Sequence, residues 1–227
     1  MKVTYYGHSC FAALLADKHL LFDPFITGND LARNIDVNAI PADYVLLSHG
    51  HSDHMGDVAA IAKRTGATII ANFEITQWLA KQGLPKSHPL NHGGGHPFEF
   101  GRAKFVNAIH SSSLPDGTYG GNPGGFVIES KEGNFYYSGD TALTMDMKLI
   151  GEGPKLRFAA LCIGDNFTMD FADAIKAADY VRCNEVLGLH FDTFPPIQID
   201  HRAATERFKA AGKTLHLLAP GQTHVFD

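Results

Sequence analysis

The distribution of apolar and polar positions divides the chain into short strand-like runs interrupted by helical stretches. Val3–Tyr6, Phe11–Leu15 and Leu20–Asp23 are apolar or β-branched runs separated by small polar turns, and together they predict an antiparallel meander. Tyr44–Leu47 is a continuous apolar run, as expected of a strand buried on both faces. The polar segment SHGHSDHMGD follows, and then Val58–Thr65 has helical spacing and stops at Gly66. Thr68–Ala71 predicts another buried strand, and Ile75–Gln82 a helix that stops at Gly83. Pro85–Pro97 reads as a loop carrying Gly93, Gly94 and Gly95, and Lys104–Ile109 as a strand ending at His110.

A second cycle follows. Ser111–Gly125 reads as a loop rich in Gly, Ser and Pro, and Phe126–Glu129 with Phe135–Tyr137 as a hairpin turning at Lys131–Asn134. Leu143–Ile150 has helical spacing, and Ala159–Ile163 is a buried strand. Asp170–Arg182 is a helix with an acidic first turn, Val186–Leu189 a strand ending at His190, Asp200–Ala211 a helix and Thr214–Leu218 a late strand. Strands outnumber helices in both halves, which predicts two packed sheets with helices on their outer faces. No fixed-period repeat and no linker composition divides the chain, so one domain over 1–227 is expected.

Composition narrows the class. Hydrophobic residues make up 44% and charged residues 19%, the balance of an ordinary soluble globular protein. No apolar run approaches the length of a membrane span. Net charge is −5 and the 19 Lys and Arg are scattered, which argues against a nucleic-acid partner. Cys10, Cys162 and Cys183 show no CxxC spacing, and MKVTYYGHSCF lacks a signal peptide's apolar stretch, so a cytoplasmic location is expected. The unusual count is histidine. There are 13, spread from His8 to His224, which rules out a terminal tag and directs attention to metal binding.

The strongest chemical signal is His49-x-His51-x-Asp53-His54, directly after the buried strand Tyr44–Leu47. His49 and His51 are two apart in an extended loop, so they can converge on one ion. Asp53 and His54 lie across the turn into a helix, which Asp53 can cap, and can reach a second ion. Imidazole nitrogens and carboxylate oxygens are ligands that zinc accepts. One loop cannot complete two coordination shells, so further ligands must come from other strand ends. His110, Asp140 and His190 each follow an apolar strand and share that placement. His8 ends the first strand and reads either as a structural histidine or as a residue beside the substrate. Asp165 and Asp23 end strands as well and are candidates for hydrogen bonding a ligand histidine, Asp23 for His51 or His54. In Asn91–His96, His92 is the residue whose loop could overhang the site. The glycines there lack the Lys-Ser/Thr of a P-loop, and no GxSxG occurs that would support a serine nucleophile.

HGHSDHMGD, with His110, Asp140 and His190 at increasing distance, resembles the metallo-β-lactamase superfamily. GHSCF, AIHSSSLPDG, GNPGGFVI, YSGDT, IGDNFTM and LHFDTFPPI are similar to its uncharacterised metal-dependent hydrolases related to ascorbate-phosphate lactonases. The resemblance covers essentially the whole chain. It implies an α/β (α+β) fold, a four-layer αβ/βα sandwich of two mixed sheets with the metal site at one edge. It also implies that His49, His51 and His110 hold one metal, that Asp53, His54 and His190 hold the other, and that Asp140 bridges them. It favours a role for His8 beside the metals. The stretch Asn91–His96 departs from similar proteins, which have an apolar residue before the glycines.

The function expected is hydrolysis of a small ester, lactone, amide or phosphodiester. Two divalent ions would activate the attacking water, and Asp53 would move its proton. Zinc is the first choice, with manganese, nickel or iron also compatible with a mixed His/carboxylate set. A di-iron redox protein on the same scaffold and a non-catalytic metal-dependent binding or regulatory protein stay open as alternatives, as does homo-oligomerisation.

Overall fold

In the computed structural model, which describes residues 1–227, the N-terminal apolar runs pair as β1 (Lys2–Gly7), β2 (Cys10–Leu15) and β3 (Lys18–Phe22). The buried run after them is β4 (Tyr44–Leu46), followed by α1 (Ser52–Met55), α2 (Val58–Thr65), β5 (Thr68–Asn72), α3 (Phe73–Lys81) and β6 (Ser87–Leu90). Then come β7 (Gly95–Phe98), β8 (Gly101–Asn107), β9 (Gly124–Ser130), β10 (Gly133–Tyr137), α4 (Met147–Gly151) and β11 (Leu156–Cys162). The chain closes with α5 (Phe171–Tyr180), β12 (Glu185–Leu189), α6 (His201–Ala210), β13 (Thr214–His216) and β14 (Thr223–Val225).

These strands form two sheets of seven, ordered β14-β1-β2-β3-β4-β5-β6 and β13-β12-β11-β10-β9-β8-β7. Each sheet is mixed, and in each the pairing changes once. The pairs from β14 to β3 are antiparallel and those from β3 to β6 parallel. The pairs from β7 to β10 are antiparallel and those from β10 to β13 parallel. The two halves therefore share a topology without sharing a sequence repeat.

Three apolar layers hold the sheets and helices together. Between the sheets lie Phe11, Phe22, Phe126, Phe135 and Tyr137, with Phe11 stacked on Phe22 at 4.5 Å. Outside the first sheet, Val45 and Ile69 meet Val58, Ile61 and Ala62, three residues at i, i+3 and i+4 on α2. Outside the second, Leu161 and Val186 meet Ala174, Ala177 and Ala178 of α5 and Phe208 of α6. The order helix, sheet, sheet, helix is the four-layer αβ/βα sandwich expected. No helix is long and apolar enough to cross a membrane.

Three local expectations need correction. The loop expected over Pro85–Pro97 contains β6 and β7, each an edge strand with one proline, where a missing N–H leaves no ladder partner unpaired. The helix expected over Leu143–Ile150 is confined to the five residues of α4. Asp53 does not cap a helix: it lies inside α1, whose N-terminal cap residue is His51.

Candidate metal centre

The polar residues singled out in the sequence gather at one rim of the sandwich, because each follows the same end of a strand. His8 follows β1, Asp23 follows β3, His49–His54 follow β4, His110 lies beyond β8, Asp140 beyond β10 and His190 directly after β12. Sharp turns aim them inward. His8, Asp23 and His190 have φ of 55°, 40° and 56°, a left-handed conformation costing about 1–3 kcal/mol at a residue other than glycine. Gly139 holds φ 59° just before Asp140, and a Cβ there would come within 2.5 Å of the Gly124 carbonyl oxygen.

Asp140 is the hub. Its Oδ2 lies 2.9 Å from His190 Nε2, 3.2 Å from His54 Nε2, 3.7 Å from His110 Nε2 and 4.0 Å from His49 Nε2. Around it, ligand-type atoms fall into two main groups, His49 with His51 and His110, and His8 with Asp53, His54 and His190. His49 Nε2 lies 2.9 Å from His51 Nδ1. His8 Nε2 shares a 3.1 Å hydrogen bond with Asp53 Oδ2, and its Nδ1 one of 2.9 Å with Thr193 Oγ1. His8, His49, His54, Asp140 and His190 are buried, while His51, Asp53 and His110 are partly open to solvent.

Asp23 organises the floor. His54 Nδ1–H donates to its Oδ2 at 2.7 Å, Tyr137 O–H donates to the same oxygen at 2.5 Å, and Ser48 N–H donates to Oδ1 at 2.8 Å. The Ser48 hydroxyl also donates to Asp23, which leaves its lone pair to accept from His49 Nδ1–H at 2.9 Å. One buried carboxylate thus orients the His54 ring directly and the His49 ring through Ser48, turning both Nε2 atoms toward Asp140. Asp23 therefore supports His54 and not His51. Ser48, Tyr137 and Thr193 were not singled out as site residues although each lies in a quoted motif, because a hydroxyl carries no metal-ligand signature.

Asp165 and His92 do not join the cluster. Asp165 is exposed and accepts from the Asn166 backbone N–H at 2.7 Å, so the expected hydrogen bond to a ligand histidine is not made. At Gly164 the backbone packs against the His190 carbonyl, and the left-handed turn at Asp165, φ 61°, directs the chain outward. His92 stacks on Phe105 at 5.3 Å and bonds the Pro123 carbonyl oxygen at 2.8 Å, lining a cavity with Lys104 and Asp146 instead of overhanging the metal residues.

The donor set suits divalent cations. Burial first, then neighbouring histidines, keeps His49, His51 and His110 below the ordinary histidine range, so their lone pairs are free. Burial also works against a charge on His54, yet Asp140 and Asp23 outweigh it and hold its proton well above that range. Burial would raise Asp140, but His190 and His54 hold its carboxyl well below the usual carboxylate range. Asp53 is likewise kept low against burial by its His8 hydrogen bond and by His54. The pocket is built to hold positive charge. Three of the chain's five unpartnered buried side-chain polar atoms lie here: His54 Nε2, Asp140 Oδ1 and His190 Nδ1.

The fold and the histidine–carboxylate rim define a metallo-β-lactamase-fold protein, and a family model described as the β-lactamase superfamily domain matches residues 18–191. The chain belongs to the UPF0173 metal-dependent hydrolases of that superfamily. It is 56% identical to a UPF0173 metal-dependent hydrolase of Flavobacterium johnsoniae, over 98% of this chain and 99% of that one. A UPF0173 relative from Thermus thermophilus is 46% identical over the whole of both chains. Among solved structures, Igni18, a metallo hydrolase of Ignicoccus hospitalis, superimposes with a TM-score of 0.90 at 32% identity, covering 100% of this chain and 98% of that one.

Proposed function

We propose that this metal-dependent hydrolase works with two divalent ions, most simply zinc. His49, His51 and His110 hold one, Asp53, His54 and His190 hold the other, and Asp140 lies between them. The observation that carries this reading is Asp140 Oδ2, within 4.0 Å of the Nε2 atoms of four histidines drawn from three separate loops. Ions bound there would lower the pKa of a water and polarise the scissile bond. The two carboxylates leave such a pair net positive, which favours an anionic transition state.

The chain's own residues do the rest. Asp53 lines a cavity of about 390 Å³ with His51, Ser113 and Leu114, and its side chain is 24% exposed. Its Oδ2 is engaged by His8, which leaves Oδ1 to take a proton from the attacking water and return it to the leaving group. His8, held by Thr193, orients Asp53 and has its own pKa pushed down by burial to about 4, so it stays neutral at physiological pH. Ser112 is structural: its hydroxyl accepts from Gly50 N–H and donates to the Gly120 carbonyl, each at 3.0 Å. On the same reading, residues 1–227 form one domain acting on a small molecule in the cytoplasm, where the three buried free cysteines remain thiols.

The test is metal analysis of the purified protein together with turnover of zinc- and manganese-loaded samples on lactones, esters and phosphodiesters. Two ions per chain and hydrolysis of one class are expected. One ion per chain with full activity would overturn the binuclear reading, and an iron chromophore with no hydrolysis would favour redox chemistry.

A further inference from the structure

The rim around the metal residues has an unusual charge pattern. None of the chain's 19 Lys and Arg lies in loops 7–9, 23–30, 47–57, 108–123, 138–147, 163–170 or 190–200, the segments that carry or border the site. Lys148 and Arg202 lie just beyond two of these loops. The Lys148 ammonium sits 4.8 Å over the Tyr180 ring, and Arg202 faces Glu206 at 3.9 Å. The charges that the loops do carry outside the metal cluster are carboxylates, among them Asp116, Asp165 and Asp192. None of these loops therefore carries a guanidinium or ammonium that could receive a phosphate or carboxylate group on a substrate.

Apolar side chains are carried by these loops instead. Phe25 and Phe194 flank His8 edge-on, with ring centroids 5.7 and 5.5 Å from its imidazole and 6.4 Å from each other. On the His110 side, Ile109 is 53% exposed and Phe167 54% exposed. The Ile109 backbone is held to Thr141, the residue after Asp140, by an N–H bond to Thr141 Oγ1 at 2.9 Å, and the turn that carries Phe167 is tied to the same residue by Met169 N–H, which donates to the Thr141 carbonyl at 3.0 Å. Burying such exposed apolar groups against a ligand removes them from water and is favourable.

We infer that the cleft takes uncharged substrates carrying an apolar group beside the scissile bond, and that it discriminates against phosphorylated or carboxylated ones. This rests on the hydrolase reading above and adds the substrate class. A neutral molecule enters without meeting the rim carboxylates, and negative charge develops only at the metal centre, where it is stabilised. An anionic tail is placed among carboxylates and phenyl rings with no compensating cation.

The test compares matched lactones with tails of equal length, one ending in a methyl group and one in a phosphate, on zinc-loaded protein. The alkyl lactone should have the higher kcat/KM by at least about tenfold. Phe194→Ala should raise its KM more than it lowers kcat, and spare a lactone without a tail. Ile109→Arg should narrow the preference by raising kcat/KM for the phosphorylated lactone. Equal or higher kcat/KM for the phosphorylated lactone would overturn the inference and leave the hydrolase reading standing. If neither lactone is cleaved, calorimetry with an inert pair, an alkyl methyl ketone and the same ketone carrying a sulfonate at the far end of its tail, decides the charge preference independently of catalysis. The uncharged ketone should bind at least fivefold tighter and lose that advantage in Phe194→Ala. Sulfonate binding of equal strength, or no binding of either, overturns the inference.

Discussion

At the residue scale the site is a set of strand-end side chains converging on two buried carboxylates with different tasks. Asp140 touches four histidines at once, so its charge matters more than its shape. Asp140→Asn keeps the size and removes the charge. It should lower the bound metal below the parent's content and slow hydrolysis by at least about a hundredfold, as expected for loss of a central electrostatic group. Unchanged stoichiometry and turnover would remove Asp140 from the centre. Asp23 never meets the substrate side but orients two histidine rings, so Asp23→Asn should weaken zinc binding by about 10–100-fold in a chelator competition. Equal zinc affinity in parent and variant would show that His54 and His49 hold their orientation without the Asp23 charge. The histidines and Asp140 were legible because a polar residue ending an apolar run stands out. Asp165 obeys the same pattern and is not in the site. Only the turn after Gly164 separates the two outcomes, and one sequence carries no sign of that turn.

At the element scale, the central strands and longer helices followed from periodicity, and α2 begins and ends as its spacing predicts. What escaped was the periphery. β6 and β7 carry prolines, and β14 (Thr223–Val225) is three residues long, so their pairing depends on partners far away in sequence. These margins hold a repeated device. At one seam between the sheets the rings of His88 of β6 and His96 of β7 meet at a tilt, centroids 4.0 Å apart, beside Phe98. At the other, the rings of His216 of β13 and His224 of β14 meet at a tilt, centroids 4.3 Å apart, beside Phe226. Burial and then His96 lower the pKa of His88, and burial and then His216 lower that of His224, although Glu185 and Asp227 oppose the second shift. A histidine with a depressed folded pKa takes up its proton more readily in the unfolded chain. Stability then rises with pH through the window below about 6.5 and is lost on acidification through it. The urea midpoint should fall between pH 7.5 and pH 5.5, and fall less in His96→Asn, where His88 has lost its histidine neighbour. Identical falls in parent and variant would assign the acid sensitivity elsewhere.

At the scale of the whole molecule, the alternation of strands and helices in both halves was legible as two packed sheets, whereas the shared order of antiparallel and parallel pairs was not. That order is a property of hydrogen-bond partners and leaves no repeat in the residues. Bulk charge was legible without a structure: with −5 net and scattered cations, no sub-micromolar binding to generic duplex DNA is expected in a filter assay at physiological salt. The structure adds a link between the metal centre and global stability. Buried groups with unpartnered polar atoms at His54, Asp140 and His190 are costly to keep together without a cation, and these residues tie loops of both sheets to one point. A cation that binds only the folded chain stabilises it by about 4 kcal/mol at a thousandfold excess over its Kd, an increase in Tm on the order of 10 °C for a chain of this size. Chelation should therefore lower the Tm of the metal-loaded protein by about that amount, and zinc should restore it. In Asp140→Asn the chelator-dependent shift should shrink, because the variant holds metal less tightly while its metal-free form has one buried charge fewer. Scanning calorimetry of parent and variant, each with and without chelator, reads all four states. A parent whose Tm does not respond to chelator would show that the sandwich is fully stable without the ions, and that the rim is a binding site attached to the fold instead of a support for it.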